Sequence, residues 1–398
     1  MVQASEPAVS IPALEACIRD PASPLTHKYR ALFALRNCPG SAAESALTKG
    51  LQVNSALFRH EVAYCLGQRQ DPSATALLSE MLRDTAEHPM VRHEAGEALG
   101  AIGTPACLEQ LQRHEQDTCL EVAQTCQLAL QRIDFHTRRA ARARHTATPE
   151  SKPGAMQPQN ATNTAAAPVC SEAVNCSRSR VGMQLPADSN GSTTSSHEQS
   201  AQTASVNQHA GPSASCEQCQ PLSSVAVRLD PLDEADEEPS RFMSVDPTPA
   251  APSATPMSQL RATLLDEHAA IFDRYAAMFA LRNRGGPKAV AALQAVMAAS
   301  DSALLKHEVA YVLGQMGDAQ ASSCLGRVLR DEQEHAMVRH EAAEALGAIA
   351  DPSSLHLLTQ HCADPEPIVA DSCKVALDML EFEQSGGFEY LSVPVAAS

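Results

Sequence analysis

Hydrophobic positions recur along most of the chain at intervals of three and four, the spacing that lines one face of an α-helix. The clearest instance is used four times. His60-Glu61-Val62-Ala63-Tyr64-Cys65-Leu66-Gly67-Gln68 returns as His307-Glu308-Val309-Ala310-Tyr311-Val312-Leu313-Gly314-Gln315. His93-Glu94-Ala95-Gly96-Glu97-Ala98-Leu99-Gly100-Ala101-Ile102 returns as His340-Glu341-Ala342-Ala343-Glu344-Ala345-Leu346-Gly347-Ala348-Ile349. The copies lie 33 residues apart within each half and 247 apart between halves. A helical pattern on such a period predicts stacked helical hairpins, an all-α solenoid.

On a helical wheel, Val91, Ala95, Ala98, Leu99 and Ile102 form one stripe, and Phe58, Val62, Cys65 and Leu66 form its counterpart. His93 falls about 175° from the centre of its stripe and Glu94 about 85° from it. The histidines are therefore expected to point away from the apolar core, with the dyads displayed on a surface of the hairpin stack. Gly67, Gly100, Gly314 and Gly347 share the dyad face, where a glycine inside a helix costs about 0.8–1 kcal/mol relative to alanine. Either a neighbouring backbone comes close there or a slot beside the dyads stays open. Asp71-Pro72, Thr104-Pro105 and Asp351-Pro352 follow these helices, each pairing an N-cap with a proline suited to the first helical turn.

Flanking repeats keep the stripe and lose the dyad. Tyr29-Arg30 and Tyr275-Ala276 stand where His-Glu would be in the leading repeats; in the trailing repeats the position reads Gln124-Thr125 or Ala370-Asp371. Each half is thus a four-repeat unit with dyads in its two central repeats. The expected organisation is residues 1–134 as the first half, 135–256 as a linker, and 257–398 as the second half with a short tail. The linker opens on Arg138, Arg139, Arg142 and Arg144 and is rich in Ala, Ser, Thr, Pro, Gln and Asn. It closes on Asp230, Asp233, Glu234, Asp236, Glu237 and Glu238. That composition predicts disorder. The single CxxC at Cys216 and Cys219 lacks a second pair at zinc-finger spacing.

Composition narrows the classes. The 398 residues are 44% hydrophobic but 3% aromatic with no tryptophan, as expected of closely packed Ala- and Leu-rich helices. A net charge of −17 argues against a general nucleic-acid binder and fits a basic or polyamine-like partner. No apolar run reaches membrane-spanning length, and the first residues lack the features of a signal peptide. Thirteen scattered cysteines fit a reducing compartment, so the expectation is a cytoplasmic protein.

Adjacent packed helices lie about 8–10 Å apart, so His60 and His93 can converge, as can His307 and His340. If the halves face each other about a pseudo-two-fold axis, four histidines and four glutamates meet in one cleft. Such a nitrogen-and-oxygen set suits non-haem iron or manganese, and the carboxylates would balance two divalent ions.

These motifs, paired as HEVAYxLGQ and HEAxEALGAI in two halves of eight HEAT-like repeats, closely resemble the deoxyhypusine hydroxylase family over about residues 10–134 and 257–392. The long middle insert departs from that family's short connection. The resemblance implies a di-iron monooxygenase with two ferrous ions and molecular oxygen as co-substrate. Its substrate would be the deoxyhypusine side chain of translation initiation factor 5A, and an external donor would supply electrons. It implies metal ligation by His60, Glu61, His93, Glu94, His307, Glu308, His340 and Glu341, with a glutamate of the opposite half joining His60 and His93. Glu94 and Glu341 are also candidates for holding the substrate's ammonium groups. Tyr64, Tyr311, Glu97 and Glu344, one turn on, are candidates for orienting the ligands, and Met90 and Met337 for packing at the cleft wall. Two rivals remain: a HEAT scaffold that binds a partner protein without chemistry, and a chromophore lyase of related repeats, not expected to carry four intact pairs.

Overall fold

In a computed structural model, residues 10–146, 240 and 242–385 are described, and among them the chain forms sixteen α-helices and no strand. The first half comprises α1 (Ile11–Arg19), α2 (Leu25–Asn37), α3 (Ser41–Thr48), α4 (Ala56–Arg69), α5 (Thr75–Arg83), α6 (Pro89–Ile102), α7 (Pro105–His114) and α8 (Leu120–Thr146). The second comprises α9 (Met257–Leu265), α10 (Ile271–Arg284), α11 (Gly286–Ala299), α12 (Ala303–Met316), α13 (Ser322–Arg330), α14 (Ala336–Ile349), α15 (Leu355–His361) and α16 (Pro367–Gln384). They pair into eight hairpins, four per half. Even-numbered helices stack along the inner layer, α4 on α6 on α8 and α12 on α14 on α16.

Local chemistry sets the helix ends. The Ser55 hydroxyl accepts from the Phe58 amide and opens α4; Ser302 does the same for α12. Asp71 and Asp351 cap the turns that lead into α5 and α15, and Thr104 caps α7 ahead of Pro105. The residue before each dyad histidine clamps its helix to a neighbouring segment. Arg92 donates to Leu82 O and pairs with Asp117; Arg339 donates to Leu329 O and pairs with Asp364. These buried clamps fix the rotation of α6 and α14, and with it the direction of His93 and His340.

The expected stripes are in the core: Phe58, Val62, Cys65, Leu66, Val91, Ala95, Ala98 and Leu99 are all buried. The glycine question resolves toward close backbones. A Cβ on Gly67 would lie 2.8 Å from Ala98 Cα, and one on Gly347 would lie 2.6 Å from Ala376 Cα. Gly100 and Gly314 meet Ala129 and Ala345 in the same way. Four glycines let the inner helices approach closely enough for side chains on adjacent helices to share a site.

The halves close on each other along two seams. At one, α16 packs on α2 and α4; Arg30 forks onto both oxygens of Asp378, and the Ser55 hydroxyl donates to Asp371. At the other, α8 meets α10 and α12, with Phe135 against Phe272. Two boundaries differ from expectation. α8 runs through position 134 to Thr146, helped by an Asp134–Arg138 pair one turn apart. Residues 242–256 are packed against the body, with Phe242, Thr248, Ala251 and Thr255 buried. The CxxC of Cys216 and Cys219, the acidic run from Asp230 and the tail beyond 385 lie outside the described residues.

Candidate metal centre

The dyads are displayed by each half but not by the molecule. His93 and His340 are 0% exposed, and His60, Glu61, Glu94, His307, Glu308 and Glu341 no more than 7%. The wheel places each histidine opposite its own hairpin core correctly. What it could not include is the other half, which covers that face.

All four histidines converge. Ring centroids lie 6.3 Å apart for His60 and His93, 5.3 Å for His307 and His340, and 5.5 and 5.6 Å for the cross-half pairs His93–His307 and His60–His340. Donor atoms of His60, His93 and Glu94 fall within 4.8 Å of one another, as do those of His60, His307 and His340. His60 Nδ1 lies 3.1 Å from Glu61 Oε1. His60 Nε2 faces Glu94 Oε2 at 3.3 Å, and His307 Nε2 faces Glu341 Oε2 at 3.5 Å. Glu94 and Glu341 therefore aim at imidazole nitrogens from equivalent positions.

The trailing repeats supply a residue that orients each inner histidine. His93 Nδ1 is hydrogen-bonded to Thr125 Oγ1 at 2.6 Å, and His340 Nδ1 to Ser372 Oγ at 3.4 Å. Ser372 in turn donates to Glu344 at 2.9 Å. An imidazole that donates through Nδ1 presents a bare Nε2, the form a metal takes. Thr125 stands at the vacated dyad position of its repeat; its structural mate is Ser372, one residue beyond the Ala370-Asp371 of the matching repeat. Of the other candidates, Tyr64 and Tyr311 bond each other across the halves at 2.9 Å and touch no dyad by hydrogen bond. Met90 and Met337 are core residues and do not line the cleft.

Burial dominates the electrostatics. It raises the pKa of Glu61, Glu97 and Glu341, lifts Glu308 to about 8 with help from Asp246 and Glu94, and lifts Glu344 to about 7. Burial lowers His93 to about 4, and lowers His307 and His340 well below the usual histidine range. His60 is the exception: burial opposes its charge, but Glu61 and Glu94 on either side raise its pKa well above normal. Carboxylates of one half feel groups of the other: Glu61 the field of His340 and Glu344, Glu308 that of Glu94.

The residues fit a metal. The Nε2 atoms of His60, His93, His307 and His340, and Nδ1 of His307, are buried without a hydrogen-bond partner, a costly state for a polar atom. The approach of Glu94 to His60 Nε2 does not have hydrogen-bonding geometry. Cations among these atoms would engage the orphaned lone pairs and neutralise the buried carboxylates. Around them runs a cleft of about 350 Å³, lined by six of the eight dyad residues, all but the fully buried His93 and His340, together with Glu97, Glu344, Tyr64, Tyr311, Arg36, Met243 and Ser244 among others. Arg36, Met243 and Ser244 had not been anticipated. Arg36 lies in a leading repeat without a dyad, and the other two lie in a stretch whose composition reads as linker.

Comparison with known proteins agrees with this architecture. The HEAT repeats profile matches residues 11–88 and 296–378, and the PBS lyase HEAT-like repeat profile matches 91–117 and 273–298. The chain is 38% identical over 371 residues to deoxyhypusine hydroxylase of Bos taurus, covering 93% of this chain and 91% of the relative. It is 37% identical over 374 residues to deoxyhypusine hydroxylase-B of Oryza sativa subsp. japonica, covering 94% and 93%. The solved structure of human deoxyhypusine hydroxylase in complex with glycerol matches with a TM-score of 0.66 at 36% identity, over 93% of this chain and 96% of that one. With its dyads, its paired halves and its full-length similarity, the chain belongs to the deoxyhypusine hydroxylase family.

Proposed function

We propose that this protein hydroxylates the deoxyhypusine side chain of translation initiation factor 5A, completing hypusine, as a di-iron monooxygenase. The observation that carries the reading is the convergence of four buried imidazoles with unsatisfied nitrogens, two from each half, among carboxylates of both. One ion would be held by His60, His93 and Glu94 with Glu308 of the opposite half; the other by His307, His340 and Glu341 with Glu61. Iron held there would supply the activation of molecular oxygen, and an external donor would supply the electrons.

The protein's own groups do the rest. Thr125 and Ser372 hold the inner imidazoles with Nε2 aimed inward. The bonded Tyr64–Tyr311 pair ties the two halves together at the cleft wall. Glu97 and Glu344 offer carboxylates to the substrate's ammonium groups, leaving Glu94 and Glu341 to the metals. Burial keeps bulk water from the reacting carbon. Among the described residues no helix is long and apolar enough to cross a membrane, and none of the nine described cysteines is in a disulfide. Both features support a cytoplasmic enzyme.

The test is direct. Iron-loaded protein is incubated with deoxyhypusine-bearing factor, oxygen and reductant, and the hydrolysed product is analysed for hypusine. Conversion that requires oxygen and iron is expected; a fully iron-loaded protein that leaves deoxyhypusine unchanged overturns the reading.

A further inference from the structure

The leading repeats lack dyads but carry a second duplicated constellation. Tyr29, Phe33, Arg36 and Asn37 on α2 recur as Tyr275, Phe279, Arg282 and Asn283 on α10. In both copies the guanidinium lies over the phenylalanine one turn back, at 5.2 Å for Arg36 on Phe33 and 4.7 Å for Arg282 on Phe279. In both, Nε donates to the following asparagine, at 3.3 and 3.2 Å. These contacts hold each guanidinium over a ring.

Only one copy is filled. The segment from Phe242 to Asp246 crosses the second copy. Asp246 takes Arg282 by both oxygens, at 2.9 and 2.5 Å, and the guanidinium also lies over the Phe242 ring, 4.5 Å from its centroid. Arg282 ends up 0% exposed. The segment is anchored to both halves: Val245 exchanges two hydrogen bonds with the Gln68 side chain, and Arg132 and Gln315 hold Asp246 O and Ser244 Oγ. Arg36 is partly exposed, lines the cleft, and forms no ion pair among the described residues. Glu383 also lines the cleft and does not pair with Arg36. The molecule thus displays on one side what this platform binds, and on the other an unfilled copy beside its active cleft.

We infer that the Arg36–Phe33 platform docks a carboxylate on an extended segment of the protein substrate, while the substrate's modified side chain reaches the dyads. The inference rests on the proposed hydroxylation of a protein-borne side chain. A bidentate carboxylate suits a guanidinium whose Nε is already engaged, and a planar fork pre-set on a ring loses little freedom on pairing. An acidic group beside a cationic side chain would also select substrate over free polyamine, which has no carboxylate to offer.

The experiment measures equilibrium binding of deoxyhypusine-bearing substrate protein to iron-loaded wild type, Arg36→Gln and Arg36→Lys. Arg36→Gln is expected to weaken binding at least tenfold, with Arg36→Lys in between because it keeps the charge and loses the fork. Iron content and helicity should be unchanged in both variants. Amidating the substrate's acidic side chains one at a time should identify one whose loss weakens wild type but not Arg36→Gln. Equal binding by wild type and Arg36→Gln overturns the docking site and leaves the proposed function standing. Failure of wild type to bind the substrate protein counts against the proposed function itself.

Discussion

The two halves carry the same dyads on the same helices, yet they are joined differently at their two seams. Where α16 meets α2, the joint is a partly exposed ion pair, Arg30 with Asp378, at 14% and 19% side-chain exposure. Where α8 meets α10, a stretch of intervening chain is laid across the joint, and its Asp246 neutralises an arginine with no exposure at all. Duplication explains the likeness of the centre; it does not explain the seams. On the proposed ligation the centre needs both copies to be alike, because each half would supply half of one ligand set. The seams have no such constraint, so one stays open beside the cleft and the other is covered.

The largest effect should come from breaking the likeness of the centre. His93→Ala and His340→Ala remove equivalent imidazoles, and both should abolish loading of two irons per chain, as read by metal analysis. A variant that keeps two irons removes that histidine from the ligand set. Next comes the difference between seams. Asp246→Ala leaves Arg282 buried and unpaired and should cost about 3–5 kcal/mol. Asp378→Ala removes the carboxylate from a partly exposed arginine and should cost about 1–3 kcal/mol. Denaturant titration of the two variants checks the order.

Glycines sharpen the comparison within one helix. Gly100→Ala places a Cβ 2.5 Å from Ala129 Cβ and 3.0 Å from its Cα, so α6 and α8 must separate. Overpacking of about 1–3 kcal/mol should outweigh a propensity gain of about 1 kcal/mol. At Gly96 the nearest atom is Thr125 Cγ2 at 3.4 Å, so Gly96→Ala should be neutral or slightly stabilising. Thermal midpoints of the two variants decide.

The smallest effect expected is on pH dependence. Glu308 and Glu344 titrate at about 8 and about 7, far above an unfolded carboxylate, so the native metal-free protein holds protons that the unfolded chain releases. His60, raised as well, adds stability that is complete below the unfolded histidine value and is lost as pH rises from there through its folded pKa. His93, lowered to about 4, penalises the native state only as pH falls below the unfolded histidine value, where the unfolded chain takes the proton first. Metal-free protein should therefore lose stability from about pH 6.5 to 8, on reference values for unfolded side chains. Metal binding releases those protons, so the gain in thermal midpoint on adding iron should widen over the same window.

Much of this was legible in the sequence. The apolar stripes, the capped turns and the dyad faces follow from helical geometry, and the four intact pairs named the family. Three features were not legible, each for a physical reason. Whether His93 is exposed depends on a surface 247 residues away that a single-helix wheel does not contain. Thr125 looked like a vacated dyad, because a hydroxyl that orients a ligand has no spacing rule of its own. The Phe242–Asp246 segment has neither helical nor strand period. It is held by Arg282, Gln68 and Arg132, contacts that composition cannot reveal.

The central claim is that dyads of both halves form one two-metal centre. Its most direct test is Mössbauer spectroscopy with metal analysis on protein reconstituted with ferrous iron and then exposed to oxygen. Two irons per chain, magnetically coupled, are expected, with the coupling lost in His93→Ala and His340→Ala alike. Two uncoupled irons, a single iron, or no iron in a fully helical protein would contradict it and favour a non-catalytic HEAT scaffold.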